Sequence, residues 1–220
     1  MSGELDTARD DIVFLKALVS EGGQAQSSLG FLLFWAGLLY GVQALFYWGQ
    51  EAGWFAWPQN LFGLLLTLAP TLIFLVLIGY VVWHDRRQSQ HGVATRALNA
   101  AFGGAGIASL TTATIFGYLA ISRGEIFLWM FHPITIFVVQ GTVWYIAFAI
   151  RRRIWLGIVS AGWHLSAVAM AVLLNKGLVA PLLLLLGFGL LLLMALPGWV
   201  LWRSARGWAC PASTSARSTT

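Results

Sequence analysis

Charge is what this sequence has least of. Only 10% of its 220 residues are Asp, Glu, Lys or Arg, where a soluble domain carries about 25%. No carboxylate falls inside any of the long apolar runs: Glu51, Asp85 and Glu125 sit at their ends or between them. Proton-coupled carriers relay protons through buried carboxylates, so this absence argues against that mechanism. Cysteine is nearly missing as well. Cys210 stands alone, which excludes an intramolecular disulfide and any thiolate-clustered metal site. The chain has no HExxH, no phosphate loop and no paired acids. SAGWH at 160–164 brings Ser160 within one helical turn of His164, but nothing supplies an oxyanion hole or a third orienting group. These absences point away from an enzyme.

What is present is apolar. Hydrophobic residues make up 59% of the chain and the mean hydropathy is +0.77, an excess that only lipid solvates. Apolar runs occupy residues 29–48, 60–84, 98–122, 126–150, 154–174 and 178–202, each at or above the roughly 20 residues a helix needs to cross a bilayer. Strands cross a membrane only as a closed barrel of alternating residues, and LLLLLGFGLLLLMAL has no such alternation. The first run follows an acidic segment with neither a basic leader nor a small-residue cleavage site, so the N-terminus is expected to be retained.

The basic residues orient the spans. Arg9, Lys16, Arg86, Arg87, Arg96, Arg151, Arg152, Arg153, Arg203, Arg206 and Arg217 fall on one side of the membrane, and only Arg123 and Lys176 on the other. Short loops with that bias lie in the cytoplasm. The net charge of +5 is thus explained by topology, and no nucleic-acid partner is expected. Trp48, Trp54, Trp57 and Trp129 gather at the outer ends of spans, and Trp83, Trp155, Trp199 and Trp202 at the inner ends, as interfacial indoles do. Trp35, Trp144 and Trp163 lie deeper. The expected fold is an all-α, polytopic protein of a bacterial inner membrane: six transmembrane helices in three hairpins, with both termini cytoplasmic.

Three regions follow. Residues 1–28 form a cytoplasmic amphipathic helix and linker, residues 29–203 the bundle, and residues 204–220 a disordered cytoplasmic tail. In the first, Leu5, Ala8, Ile12, Leu15 and Val19 share one helical face. Thr7 with Asp10 resembles a capping box, and Gly22-Gly23 supplies a stop. Five acids against two bases are the wrong sign for an anionic membrane surface. The stripe therefore faces protein: either the helix folds back on its own bundle, or Ile12, Leu15 and Val19 dock a partner.

Small residues punctuate the third run, where Ala97, Ala101, Ala105, Ser109, Ala113 and Gly117 recur every four positions, a ridge that lets another helix approach closely. Gly37 and Gly41 give the first span a matching notch, which predicts a central third span. Pro70, Pro133 and Pro197 are expected to kink their helices or free a carbonyl.

His132 and His164 are the ionisable groups inside spans. Taking 1.5 Å per residue, His132 lies about 9 Å inside the outer boundary and His164 about 15 Å from the inner one. One reading makes them axial ligands of a tetrapyrrole, a haem held between them or a chlorophyll-type pigment on each. The other gives each ring an ordinary hydrogen bond to a neighbouring helix, and for His132 that is the favoured reading. A third set, Ser109, Thr111, Thr112 and Thr114 with Gln43 and Gln140, would suit a channel or carrier for a neutral solute, although Ser and Thr in membranes usually bond their own helix.

The stretches ARDDIVFLKALVSEGG, GTVWYIAFAIRRRIWLGIVSAGW and ALPGWVLWRSAR resemble an uncharacterised family of small bacterial six-helix inner-membrane proteins with an acidic N-terminal amphipathic helix. The resemblance covers most of the chain, through apolar and therefore weakly specific motifs, and implies no active-site residues. The function expected is non-enzymatic: an accessory subunit of a membrane complex, or a membrane anchor for a cytoplasmic regulator, with a protein partner on the cytoplasmic side or within the bilayer. No cofactor is assigned on this reading; haem or a chlorophyll-type pigment belongs to the alternative.

Overall fold

The computed structural model describes the backbone of residues 2–56, 61–85 and 93–207, and the side chains of residues 27–56, 65, 67–84 and 96–204. Every regular element among them is helical. α1 runs Ser2–Glu51, α2 Leu61–Asp85 and α3 Val93–Arg123; a 3-10 turn, Ile126–Met130, leads into α4, Phe131–Arg151. α5 spans Ile154–Asn175, and the last apolar run is α6, Val179–Leu190, a π-helical turn, Leu191–Ala195, and α7, Leu196–Gly207. Six stretches are long and apolar enough to cross a membrane: Ser27–Glu51, Thr67–His84, Arg96–Arg123, Ile126–Arg151, Ile154–Asn175 and Val179–Ser204. The chain is a multi-pass membrane protein.

α1 does not stop at Gly22-Gly23. It continues as one helix of 50 residues, so the break expected there is absent. Two glycines cost a helix roughly 1 kcal/mol each relative to alanine, but they keep their backbone donors. Gln24, Ala25 and Gln26, which follow, favour helix. Ile12, Leu15 and Val19 lie on this helix; their side chains are outside the described ones, as is the tail beyond residue 207.

The closest packing joins α1 to the sixth span. A methyl added to Gly30 would lie 2.6 Å from the Trp202 nitrogen, and one on Gly198 2.5 Å from the Phe34 nitrogen. Gly37 meets the backbone of Ala195, and Gly41 and Gly187 face each other across the same seam. Lipid tails are as apolar as leucine, so close backbone approach replaces the hydrophobic drive as the source of association. Trp202 seals one end, with its ring 5.3 Å from Phe31 and 5.9 Å from Phe34.

The notch at Gly37 and Gly41 is thus filled by the sixth span and not by α3. The central place expected for α3 is not found: it packs on α4 and on the 3-10 turn and only lightly on α1. Its small ridge meets protein along most of its length, since Ala105 is buried and Ala101, Ser109, Ala113 and Gly117 are half-buried while Ala97 is exposed, but a methyl added to Gly103, Gly104 or Gly106 on its other faces would have no neighbour within 4 Å. The glycines of the sixth span offer α1 a closer backbone approach than alanine and serine can.

A core of α1, α4, α5 and the sixth span results. Phe137, Trp144, Leu156, Trp163, Met170 and Leu182 are fully buried in it, with the Phe137 and Trp163 rings edge-on at 4.5 Å and Trp144 edge-on to Phe102 at 5.5 Å.

Each proline is accommodated differently. Pro133 occupies the first turn of α4, where helix N–H groups have no intrahelical acceptor, so no kink arises inside the span. Pro70 lies inside α2, and the carbonyl of Thr67, three residues before it, accepts the Gln43 side-chain amide at 2.8 Å. Pro197 comes two residues after the π turn. It lacks the N–H that the Leu193 carbonyl would receive four residues back, and the Trp163 indole donates to that carbonyl at 3.1 Å.

Candidate functional site

The two intramembrane histidines are held in different ways. His132, in the first turn of α4, has Nδ1 3.3 Å from the Thr112 hydroxyl oxygen on α3, and its ring lies 4.9 Å from that of Trp129. Thr112 directs its own hydroxyl to the Ala108 carbonyl at 2.9 Å and the Ser109 carbonyl at 3.0 Å. With that proton committed, the imidazole is the donor to Thr112.

His164 lies on α5, with Nδ1 2.9 Å from the Ser160 carbonyl one turn earlier. Its ring fills the space left by Gly141 on α4, where an added methyl would meet it at 2.5 Å. The Ser160 hydroxyl crosses the same seam to donate to the Gly141 carbonyl at 2.8 Å. A glycine, a serine and a histidine thereby set the register of α4 against α5.

The structure does not bring the two imidazoles together. His164 rests at the level of Gly141, nine residues beyond His132 on α4, or about 13 Å along that helix. A haem gripped between them would need both nitrogens on one iron, so that form of the tetrapyrrole reading does not fit. Sequence depth brought them close because it measured His132 from the outer boundary and His164 from the inner one; the contact of His164 with Gly141 supplies the common reference on α4.

The polar groups suggested for a solute path are mostly satisfied by their own helix or by one neighbour. Ser109, Thr111 and Thr114 donate to the Ala105, Ile107 and Leu110 carbonyls at 2.8, 2.9 and 2.9 Å. Gln43 bridges α1 to α2. Gln140 is buried in α4 with its carbonyl oxygen unpaired, one turn from the equally unpaired indole nitrogen of Trp144.

Sequence reasoning missed a groove between α4 and α5. Its lining is Thr142, Tyr145, Phe148, Gly157, Ser160, Ala161 and His164, and its volume is about 430 Å³. The signal was there in the pairing of Gly141 with SAGWH, but only the inter-helix register reveals it. Among the described residues no group of three or more His, Cys, Asp or Glu side chains converges to hold a metal ion.

No protein-family model, curated protein or solved structure matches the chain.

Proposed function

We propose that this protein is a non-enzymatic component of a bacterial inner membrane that works through protein contacts, either as an accessory subunit of a membrane complex or as the anchor of a cytoplasmic regulator. The observation that carries the reading is the continuity of α1. At 1.5 Å per residue its 50 residues measure about 75 Å, against a hydrocarbon layer of about 30 Å. The apolar part is Ser27–Glu51, so the preceding 25 residues reach about 37 Å further. A helix that folded back on its own bundle would need a break near Gly22, and there is none.

The projecting arm carries Ile12, Leu15 and Val19 on one face and an acidic surplus around them. That combination suits a protein groove and is repelled by anionic lipid. On this reading both termini are cytoplasmic, with the spans arranged as three antiparallel pairs, which the basic-residue count supports.

The test is a pull-down from gently solubilised membranes with the full chain and with Ile12→Asp/Leu15→Asp/Val19→Asp. The triple variant is expected to lose the co-purifying protein while its bundle remains monodisperse. An unchanged set of partners would remove the reading.

A further inference from the structure

His164 follows Ile154 by ten residues, about 15 Å into α5 and near the middle of the hydrocarbon layer, yet its side chain is exposed. It lies in the groove between α4 and α5. Around it Ile158, Leu165 and Val168 are also exposed, as residues facing acyl chains are.

The hydrogen bonds fix what the ring presents to that groove. A carbonyl only accepts, so the 2.9 Å contact with Ser160 puts the proton of a neutral imidazole on Nδ1. Nε2 then carries a lone pair, and it has no partner among the described residues. The adjacent hydroxyls turn their protons away, Thr142 to the Val138 carbonyl at 3.0 Å and Ser160 to the Gly141 carbonyl at 2.8 Å. Neither hydroxyl therefore donates to Nε2. Acyl chains supply no donor, and an unmatched acceptor in hydrocarbon is costly.

The group that satisfies such a nitrogen is a Lewis acid soluble in lipid. A free metal ion is unsuited, because one imidazole does not hold it. A metal carried in a flat macrocycle brings four donors of its own and needs one axial ligand. The surroundings fit this geometry. The Ser160 carbonyl on Nδ1–H fixes tautomer and ring orientation, as carbonyls do behind metal-bound histidines. Gly141 admits the ring edge so closely that the imidazole has little freedom to turn. Tyr145 and Phe148 line the α4 wall, their centroids 6.2 Å apart, with the Phe148 ring packed over Gly157, and Ala161 is a small residue on the α5 side. The groove is open along one side and has a volume of about 430 Å³, so a ligand held there keeps one face toward lipid.

We propose that the α4–α5 groove binds a metallotetrapyrrole from the lipid phase, with His164 Nε2 as its single axial protein ligand. His132 takes no part, being turned to Thr112 and Trp129. This site is independent of the projecting arm of α1.

The experiment is a titration of the purified protein, in mild detergent, with ferric protoporphyrin IX, zinc protoporphyrin IX and the metal-free ring. The metal-bearing forms are expected to give a saturable Soret shift at one equivalent, and the metal-free ring to bind at least about tenfold more weakly, as does His164→Leu toward the metal forms. His132→Leu leaves binding unchanged. Ala161→Leu fills the groove beside the imidazole while keeping the Nε2 ligand, and weakens binding even if His164→Leu does not yield folded protein. Equal affinity for the metal-free ring, undiminished binding by Ala161→Leu or by folded His164→Leu, or no saturable shift at all would overturn the proposal.

Discussion

The indole N–H of Trp163 donates to the Leu193 carbonyl at 3.1 Å, across the seam between α5 and the sixth span. Pro197 cannot serve that carbonyl, so a buried aromatic residue on one helix completes the backbone of another. Trp163→Phe is expected to lower stability in detergent by about 0.6–1.7 kcal/mol for the lost bond. Combined with Pro197→Ala, which restores an N–H, the loss shrinks. Thermal unfolding of the four proteins of this cycle measures the coupling, and simple additivity would rule it out.

The glycines of α1 and the sixth span predict a contrast in tolerance. Gly198→Leu places a side chain against the Phe34 backbone, and such overpacking costs at least about 1–3 kcal/mol. Gly103→Leu on α3 meets no neighbour and leaves stability unchanged or slightly raised. Size-exclusion profiles and unfolding temperatures distinguish the two; equal damage would contradict the packing described.

Gly141→Ala pushes a methyl into the His164 ring at 2.5 Å and is expected to destabilise by about 1–3 kcal/mol. His164→Ala in the same chain removes the obstacle and recovers most of the loss. Absence of recovery would mean that the ring does not occupy the Gly141 space.

Arg152 joins α4 to α5 with φ 51°, a left-handed conformation that costs a side chain about 1–2 kcal/mol. Arg152→Gly is expected to stabilise the protein by part of that amount, with Arg151 and Arg153 left to keep the loop basic. Unfolding in detergent provides the check, and a loss of stability would show that the guanidinium contributes more than the backbone strain.

The number and position of the spans were legible because a run of some 20 apolar residues has few alternatives in a membrane. The partners of each span were not. In water an amphipathic stripe tells which face is inside, but here lipid-facing Leu165 and buried Leu182 are the same residue type, so composition does not separate the faces. Glycines carry the remaining signal, and they were read half correctly: Gly37 and Gly41 do form a notch, yet its occupant depends on Gly187, Ala195 and Gly198 more than 140 residues away. The same holds at His164. Its spacing from Ser160 was visible in the sequence, whereas Gly141, which seats the ring and opens the groove, belongs to another helix and is linked to it only by the register of α4 on α5. For α1 the local rule was outweighed: Gly22-Gly23 has the composition of a stop, but flanking helix formers carry the helix through.

The most direct test of the account is the side of the membrane on which each connection lies. In a Cys210→Ser background, single cysteines replace Ala52, Glu125 and Lys176, at the connections proposed to lie outside, and Arg153, at one proposed to lie inside, and intact cells are treated with a membrane-impermeant maleimide. The account predicts that Ala52→Cys, Glu125→Cys and Lys176→Cys react from outside while Arg153→Cys reacts only after lysis. Labelling of Arg153→Cys on intact cells, or protection of the other three, would contradict it.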